Sequence, residues 1–219
     1  MDLEDLRLLV YDSFRRLGRV TPVSEMATEL GCTVAEVSEG LGELARQRHL
    51  ALDATGEIVM AHPFSAVNLG FSVMGRDTLW WGGCCWDSFA LPHLLTEVTD
   101  VLVATRCPGC DRPGAWVVER HRPPAGDWVA HFLVPAAHVW DDVVHTCNNQ
   151  RLFCSEECVQ AWLDRTGNTR GYVMDIDTLW HFASHWYEGR LERGYVRREP
   201  SEAKDYFRSV GLVDPFWGT

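Results

Sequence analysis

The chain contains 219 residues, of which 46% are apolar and 23% are charged. These fractions are ordinary for a folded domain and exclude the fibrous and disordered classes. Twenty Lys and Arg stand against 31 Asp and Glu, which gives a net charge of −11. A charge of this sign repels phosphate backbones and anionic lipids, so the composition disfavours binding to nucleic acid or to a membrane surface.

The beginning of the chain carries Asp2, Glu4 and Asp5, where a secretory signal would carry basic residues and then an apolar stretch. No apolar run in the sequence approaches the length that spans a membrane. We therefore expect a cytoplasmic protein. In that compartment, eight Cys indicate metal ligands or catalytic thiols rather than disulfides.

Residues 1–62 have the pattern of a winged-helix-like module. Apolar spacing and capping signals predict helices over 3–17, 23–30 and 33–48, followed by strands over 50–52 and 58–61. A winged helix usually binds DNA through its third helix. Here residues 1–60 contain six Arg, no Lys and eleven acidic residues. Phosphate contact needs the opposite sign, so we interpret the module as a packing or lid element.

Residues 63–219 are predicted to form a second, larger domain. The pattern predicts strands over 71–74, 78–81, 101–106, 115–119, 128–134 and 151–153, and helices over 86–95, 136–144, 155–164, 177–191 and 201–209. The predicted fold class is therefore α+β, with a winged-helix-like module followed by a mainly antiparallel sheet with covering helices.

The segment from Gly82 to Asp87 is the first part of the chain that could carry chemistry. Gly82 and Gly83 allow a sharp turn from strand to helix, which places Cys84 near a helix N-terminus, where N–H dipoles favour a thiolate. Cys84 and Asp87 are three residues apart and would share one helix face. Such a pair can bind a soft electrophile and move a proton beside it. Alternatively, Asp87 only stabilises the helix N-terminus, and Cys84 and Cys85 are small buried residues.

Four cysteines form two closely spaced pairs. Cys107 and Cys110 have the Cys-x-x-Cys spacing of a knuckle between two strands, and Cys154 and Cys158 open a predicted helix. Four thiolates close a tetrahedral zinc site and leave no open coordination position, so such a site would be structural. The alternative is that the four thiols are reduced and bind no metal.

Cys147 lies outside this zinc scheme. The sequence predicts that it occupies a loop between a helix and a strand, where functional side chains are common. An ordinary buried thiol is equally compatible with this position. Cys32 is interpreted as a filler residue, and no histidine receives a role, because even the pair His181 and His185 lacks the Glu of a zinc-protease motif.

Taken together, these motifs resemble the organomercurial (alkylmercury) lyases over most of the chain, the amino-terminal module included. The matching residues are Cys84, Asp87, Pro92, Cys107, Cys147, Phe153 and Ser155.

The resemblance implies a catalytic trio and a function. It places the first mercury-binding thiol at Cys84, the proton-handling carboxyl group at Asp87 and the second mercury-binding thiol at Cys147, and it makes Cys107 a structural cysteine. The implied activity is protonolysis of a carbon–mercury bond to a hydrocarbon and Hg²⁺, with no organic cofactor. External thiols would release the product to an acceptor thiol or a reductase.

Two other functions stay open at this point. One is a non-catalytic protein that binds or senses metal through the same thiols. The other is a different thiol-dependent reaction on the same scaffold, since a shared fold does not fix the substrate. Cys85, an additional thiol beside the first, keeps the second of these open.

Overall fold

The computed structural model describes all 219 residues. The chain begins with the three predicted helices, α1 (Leu3–Leu17), α2 (Val23–Leu30) and α3 (Val34–Arg46). The Asp2 side chain caps α1 at Glu4 N–H, and Gly18 ends it with a left-handed backbone. A reciprocal capping box between Thr33 and Glu36 starts α3. These local signals were all visible in the sequence.

A seven-stranded antiparallel sheet forms the larger of two sheets. Its strands are β1 (Ala51–Leu52), β2 (Ile58–Ala61), β3 (Phe64–Ser65), β4 (Phe71–Met74), β5 (Leu79–Gly82), β6 (Asp100–Arg106) and β7 (Pro113–Glu119). They lie in the order β1-β2-β3-β5-β4-β6-β7. Met60 of β2 pairs with Ser65 of β3, so the first two strands continue directly into the main sheet. The division at residue 62 and the winged-helix description of residues 1–62 remain predictions.

A second antiparallel sheet contains β8 (Val129–Phe132), β9 (Gln150–Phe153) and β10 (Tyr172–Asp175), in the order β10-β8-β9. The α+β class and the mainly antiparallel sheet with covering helices are confirmed, and the structure adds a second sheet that the sequence did not predict. The alternation of apolar and polar residues in β8 and β9 predicts strands, but it does not indicate which strands they pair with. No strand was predicted at β10. Strand β9 of this second sheet lies close to the site described below.

Five helices cover the sheets: α4 (Cys85–Leu94), α5 (Val143–Asn148), α6 (Glu156–Thr166), α7 (Ile176–Ser184) and α8 (Pro200–Ser209). Two predicted helices are wrong in extent. Residues 136–144 contain a short 3-10 turn, and α5 starts only at Val143, because the Asp142 side chain caps it. The helix predicted over 177–191 ends at Ser184. No helix combines the length and apolar character that crossing a bilayer requires.

Helix α4 occupies the centre of the core. Nine of its ten residues are buried, which is the condition expected of a helix that is apolar on every side. It packs against β4, β5 and β6 on one side and against α7 on the other. Trp86 of α4 stacks on Phe182 of α7 with ring centroids 4.0 Å apart, and Phe182 also contacts Phe207 and Trp217. The start of α4 is therefore fixed from two directions.

The aromatic contact between α4 and α7 gives a stability prediction. Phe182→Ala should lower the free energy of unfolding by about 3–5 kcal/mol, because it removes a fully buried ring and leaves a cavity. Val117→Ala is the control, since Val117 is exposed on β7 and its loss should change stability by less than about 0.5 kcal/mol. Denaturant unfolding of both variants measures the difference. Equal stabilities would contradict the packing described here.

Candidate active site

Cys84 is the N-cap residue of α4, as the sequence predicted. Its sulfur accepts a hydrogen bond from the backbone N–H of Asp87 at 3.4 Å. A Cβ at Gly83 would lie 2.3 Å from both Asp87 Oδ2 and Met60 Cε, so glycine at this position leaves room for the Asp87 carboxyl group. The strand-turn-helix geometry therefore brings the Cys84 thiol and the Asp87 carboxyl group to the same end of the helix.

Asp87 is a buried carboxyl group, with 1% of its surface exposed. The Tyr187 hydroxyl donates a hydrogen bond to Oδ1, and Oδ2 lies 3.8 Å from the sulfur of Cys147. Burial raises the pKa of Asp87 to about 6, and the Tyr187 hydrogen bond and the charge of Arg190 oppose this rise. A carboxyl group with a pKa close to neutrality can both accept and donate a proton.

Cys147 lies in helix α5, so its expected position in a loop is wrong. The Asp142 side chain caps the start of this short helix, which runs from Val143 to Asn148 and so includes the cysteine. Its thiol is buried beside Asp87 and is close enough to the Cys84 thiol for each to shift the other's pKa. The structure therefore brings all three residues of the predicted trio together.

Both thiols of the trio hold their protons more strongly than an exposed cysteine. Burial, together with the Cys147 thiol and the charge of Asp87, raises the pKa of Cys84 well above its ordinary value. The pKa of Cys147 is also raised: its interaction with Cys84 lowers it, but burial and the charge of Asp87 outweigh that effect. The expected helix-dipole stabilisation of a Cys84 thiolate is thus overcome by desolvation. A ligand that binds these sulfurs must displace protons.

His62 is a member of the site that the sequence analysis missed. Its Nε2 lies 3.5 Å from the sulfur of Cys147, and its Nδ1 is buried with no hydrogen-bond partner. Burial lowers the pKa of His62 to about 3, so the ring is neutral at physiological pH. One ligand atom each from His62, Asp87 and Cys147 lies within 4.8 Å of the others. No local motif marks this histidine, because its partners lie far away in the sequence.

The trio faces a small cavity of about 70 Å³. Arg190 on its wall is buried and carries the positive charge that acts on Asp87. The cavity is lined by His62, Cys84, Trp86, Asp87, Val139, Trp140, Val143, Cys147, Gln150, Trp186, Tyr187, Arg190, Tyr195, Arg197 and Arg198. A larger open cleft of about 1480 Å³ borders α1 and α7 and contains no cysteine, so the chemistry belongs to the smaller cavity.

The remaining cysteines fall into three groups. Cys85 is fully buried, does not line the cavity and has a pKa raised by burial, so it behaves as a packing residue. Cys32 lies in the amino-terminal module, where its sulfur contacts Met1. The other four converge on one another, with all four sulfur atoms within 4.8 Å; they are Cys107, Cys110, Cys154 and Cys158.

The histidine pair of α7 has no part in the site. His181 lies 3.6 Å from Asp177, His185 follows the helix, and both side chains are more than half exposed.

Comparison with known proteins supplies the family. A family model described as MerB, alkylmercury lyase, matches residues 64–188, which is more than half of the chain. The structure is also similar to one described as the crystal structure of the mercury-bound form of MerB2. The TM-score is 0.64 and the identity 18%, with 88% of this chain and 93% of that chain covered. No curated protein matches the sequence. The likeness in structure shows a shared fold, and the family match confirms the resemblance found in the sequence: the chain belongs to the alkylmercury lyase family.

Proposed function

We propose that this protein cleaves carbon–mercury bonds by protonolysis and releases a hydrocarbon and Hg²⁺. The observation that carries the proposal is the meeting of two thiols and one carboxyl group in a buried cavity. Asp87 Oδ2 lies 3.8 Å from the Cys147 sulfur, and the Asp87 N–H lies 3.4 Å from the Cys84 sulfur. Membership of the alkylmercury lyase family supports the same reaction. The substrate class is a small organomercurial, R–Hg–X.

The first step forms a mercury–sulfur bond at Cys84. Cysteine thiolate is the soft ligand among protein side chains, and mercury is a soft metal. Because the thiol is protonated at rest, its proton must leave as the bond forms, and the carboxylate of Asp87, whose pKa the Cys84 thiol lowers through a hydrogen bond, is the adjacent acceptor. The group X departs from mercury in this step. The carboxyl group then holds the proton beside the bound substrate.

The second step breaks the carbon–mercury bond. As the sulfur of Cys147 binds mercury as the second ligand, it increases the electron density on mercury and on its carbon, and its proton passes to Asp87 while Asp87 gives up the proton that it took from Cys84. The electron pair of the carbon–mercury bond takes the proton from Asp87 to form R–H, and Asp87 recovers a proton from Cys147. In total, R–Hg–X and two thiols give R–H, H–X and mercury bound to two thiolates.

The surrounding side chains support this proton transfer by fixing the orientation and the pKa of Asp87. The Tyr187 hydroxyl fixes the orientation of Asp87, and the neutral ring of His62 lies 3.5 Å from the sulfur of Cys147 and packs against it. Exclusion of bulk water keeps the pKa of the carboxyl group close to neutrality. External thiols then exchange with the two cysteines and carry Hg²⁺ to an acceptor thiol or to a reductase.

Substitution of the trio gives the direct test. With an arylmercurial and excess small thiol, Cys84→Ser and Cys147→Ser should release no arene over many turnovers. Asp87→Ala should still bind mercury through both sulfurs but release no arene, because the proton carrier is missing. Chromatography of the arene and quantification of Hg²⁺ measure the two products.

The control variant is Cys32→Ser, which removes a thiol far from the cavity and should keep the wild-type rate. Arene release by Asp87→Ala at the wild-type rate would show that the proton takes another route. Tight mercury binding by the wild-type protein without any arene would favour a metal-binding or metal-sensing protein instead.

The reaction should depend on pH through Asp87. The carboxylate form is needed to accept the thiol proton, so kcat/KM should fall as the pH drops through about 6. Single turnovers without added thiol measure this, because ionisation of an external thiol then makes no contribution. A rate constant that does not change between about pH 5 and pH 7 would exclude Asp87 as the acceptor.

The pH dependence of the free energy of unfolding should report the pKa of the same carboxyl group, and this measurement needs no substrate. The folded-state pKa of Asp87 is raised, so the stability that this group contributes is fully present below the unfolded value of 3.8 and is lost as the pH rises through about 6. Asp87→Asn removes this loss, so its stability relative to wild type should rise by about 2.4 kcal/mol between pH 4 and pH 8. Denaturant unfolding at the two pH values measures it. If the stability difference between Asp87→Asn and wild type were the same at pH 4 and pH 8, the raised pKa of Asp87 would be contradicted.

A further inference from the structure

We propose that the cluster of Cys107, Cys110, Cys154 and Cys158 binds one Zn²⁺ ion in a tetrahedral site separate from the mercury cavity. All four sulfur atoms lie within 4.8 Å of one another. Two of the sulfur–sulfur distances, from Cys154 to Cys110 and from Cys154 to Cys158, are 3.4 Å.

These distances suit a metal and not a disulfide. A zinc–sulfur bond of about 2.3 Å places the sulfur atoms of a regular tetrahedron about 3.8 Å apart. The observed range brackets that value, whereas a disulfide requires about 2.0 Å. No pair of cysteines in the chain is at disulfide distance. Small rotations of the four side chains would enclose an ion.

The first pair of ligands lies in a knuckle at the turn between β6 and β7. The N–H of Cys107 donates to the carbonyl oxygen of Arg112 at 2.9 Å, and the N–H of Asp111 donates to that of Cys107 at 2.8 Å. Asp111 has a left-handed backbone with φ 64°, which closes the knuckle. Arg106 also donates to the carbonyl oxygen and the carboxylate of Asp111, each at 2.9 Å, so the turn is held by contacts that do not involve the sulfurs.

The second pair lies where β9 passes into α6, and its local structure fits against the knuckle. Ser155 caps α6 by accepting a hydrogen bond from the N–H of Cys158 at 3.3 Å. A Cβ on Gly109 would lie 2.4 Å from the carbonyl oxygen of Cys158, so only glycine permits this approach. Arg165 of α6 donates to the carbonyl oxygens of Pro108 and Gly109. The two ligand pairs are therefore assembled by contacts other than the sulfurs.

The ion would be structural, because four thiolates fill a tetrahedral coordination sphere and leave no position for a substrate. It would also connect the two sheets. The knuckle belongs to the seven-stranded sheet, whereas Cys154 directly follows β9 of the three-stranded sheet. Strand β9 begins three residues after Cys147. The metal would thus anchor the strand next to the second thiol of the proposed active site.

Metal content and spectroscopy test the proposal in full-length protein that has never contacted mercury. The purified wild-type protein should contain one zinc per chain by mass spectrometry of the metal. Reconstitution with Co²⁺ should give the intense sulfur-to-metal and visible bands of tetrahedral thiolate coordination. Removal of the ion with a chelator should lower the midpoint of thermal unfolding, since binding energy at such a site contributes to folding.

One double variant and two controls locate the ion. Cys110→Ser with Cys154→Ser in one protein should lose the zinc and the cobalt bands. Cys32→Ser and Cys84→Ser should each keep one zinc per chain, and the Cys84 variant separates this result from the proposed lyase activity. Zinc retained by the double variant would overturn the proposal.

Two measurements use only the wild-type protein, so they do not depend on whether a variant folds. Octahedral cobalt bands would overturn the site, as would the absence of zinc from protein purified without chelator. After denaturation in a chelator, all eight cysteines should react with a thiol reagent. Only six reactive thiols would reveal a disulfide in the cluster and would also overturn the proposal.

Discussion

Burial of the Asp87 carboxyl group is the constraint on which the rest of the site depends. In water this group would be ionised and would hold no proton at neutral pH. Enclosed in the core beneath Tyr187, it has a pKa of about 6 and lies beside two thiols whose own pKa values are raised. The same desolvation therefore keeps the sulfurs protonated until a metal arrives and prepares the carboxyl group to receive their protons.

The fold makes this burial possible by enclosing α4. Phe182 and the sheet fix the helix from opposite sides, so its N-terminus cannot move towards solvent. Cys84 and Asp87 come from that helix, whereas Cys147 comes from a short helix just before β9 of the other sheet. The geometry of the trio thus depends on how the two sheets meet, which is where the proposed zinc ion would lie.

The sequence predicted interactions between residues that are close together in the chain better than interactions between distant residues. Cys84 and Asp87 were found because a glycine turn and a three-residue spacing are local, and the four clustered cysteines were found because their pairs are local too. The position of Cys147 in a helix was missed although the Asp142 cap is local, because a helix of six residues is too short to show an apolar repeat in the sequence. His62 and Tyr187 approach from distant segments that carry no motif, so only the folded chain reveals them.

The most direct test of this account is infrared spectroscopy of the protonation states of Asp87 and Cys84. Difference spectra between wild-type protein and Asp87→Asn should show a carboxyl band that disappears with a midpoint close to pH 6. A thiol S–H band that is absent from Cys84→Ser should persist at pH 8. A carboxyl group already ionised at pH 4, or a thiolate at Cys84 in the free protein, would contradict the claim that burial prepares this site for proton transfer.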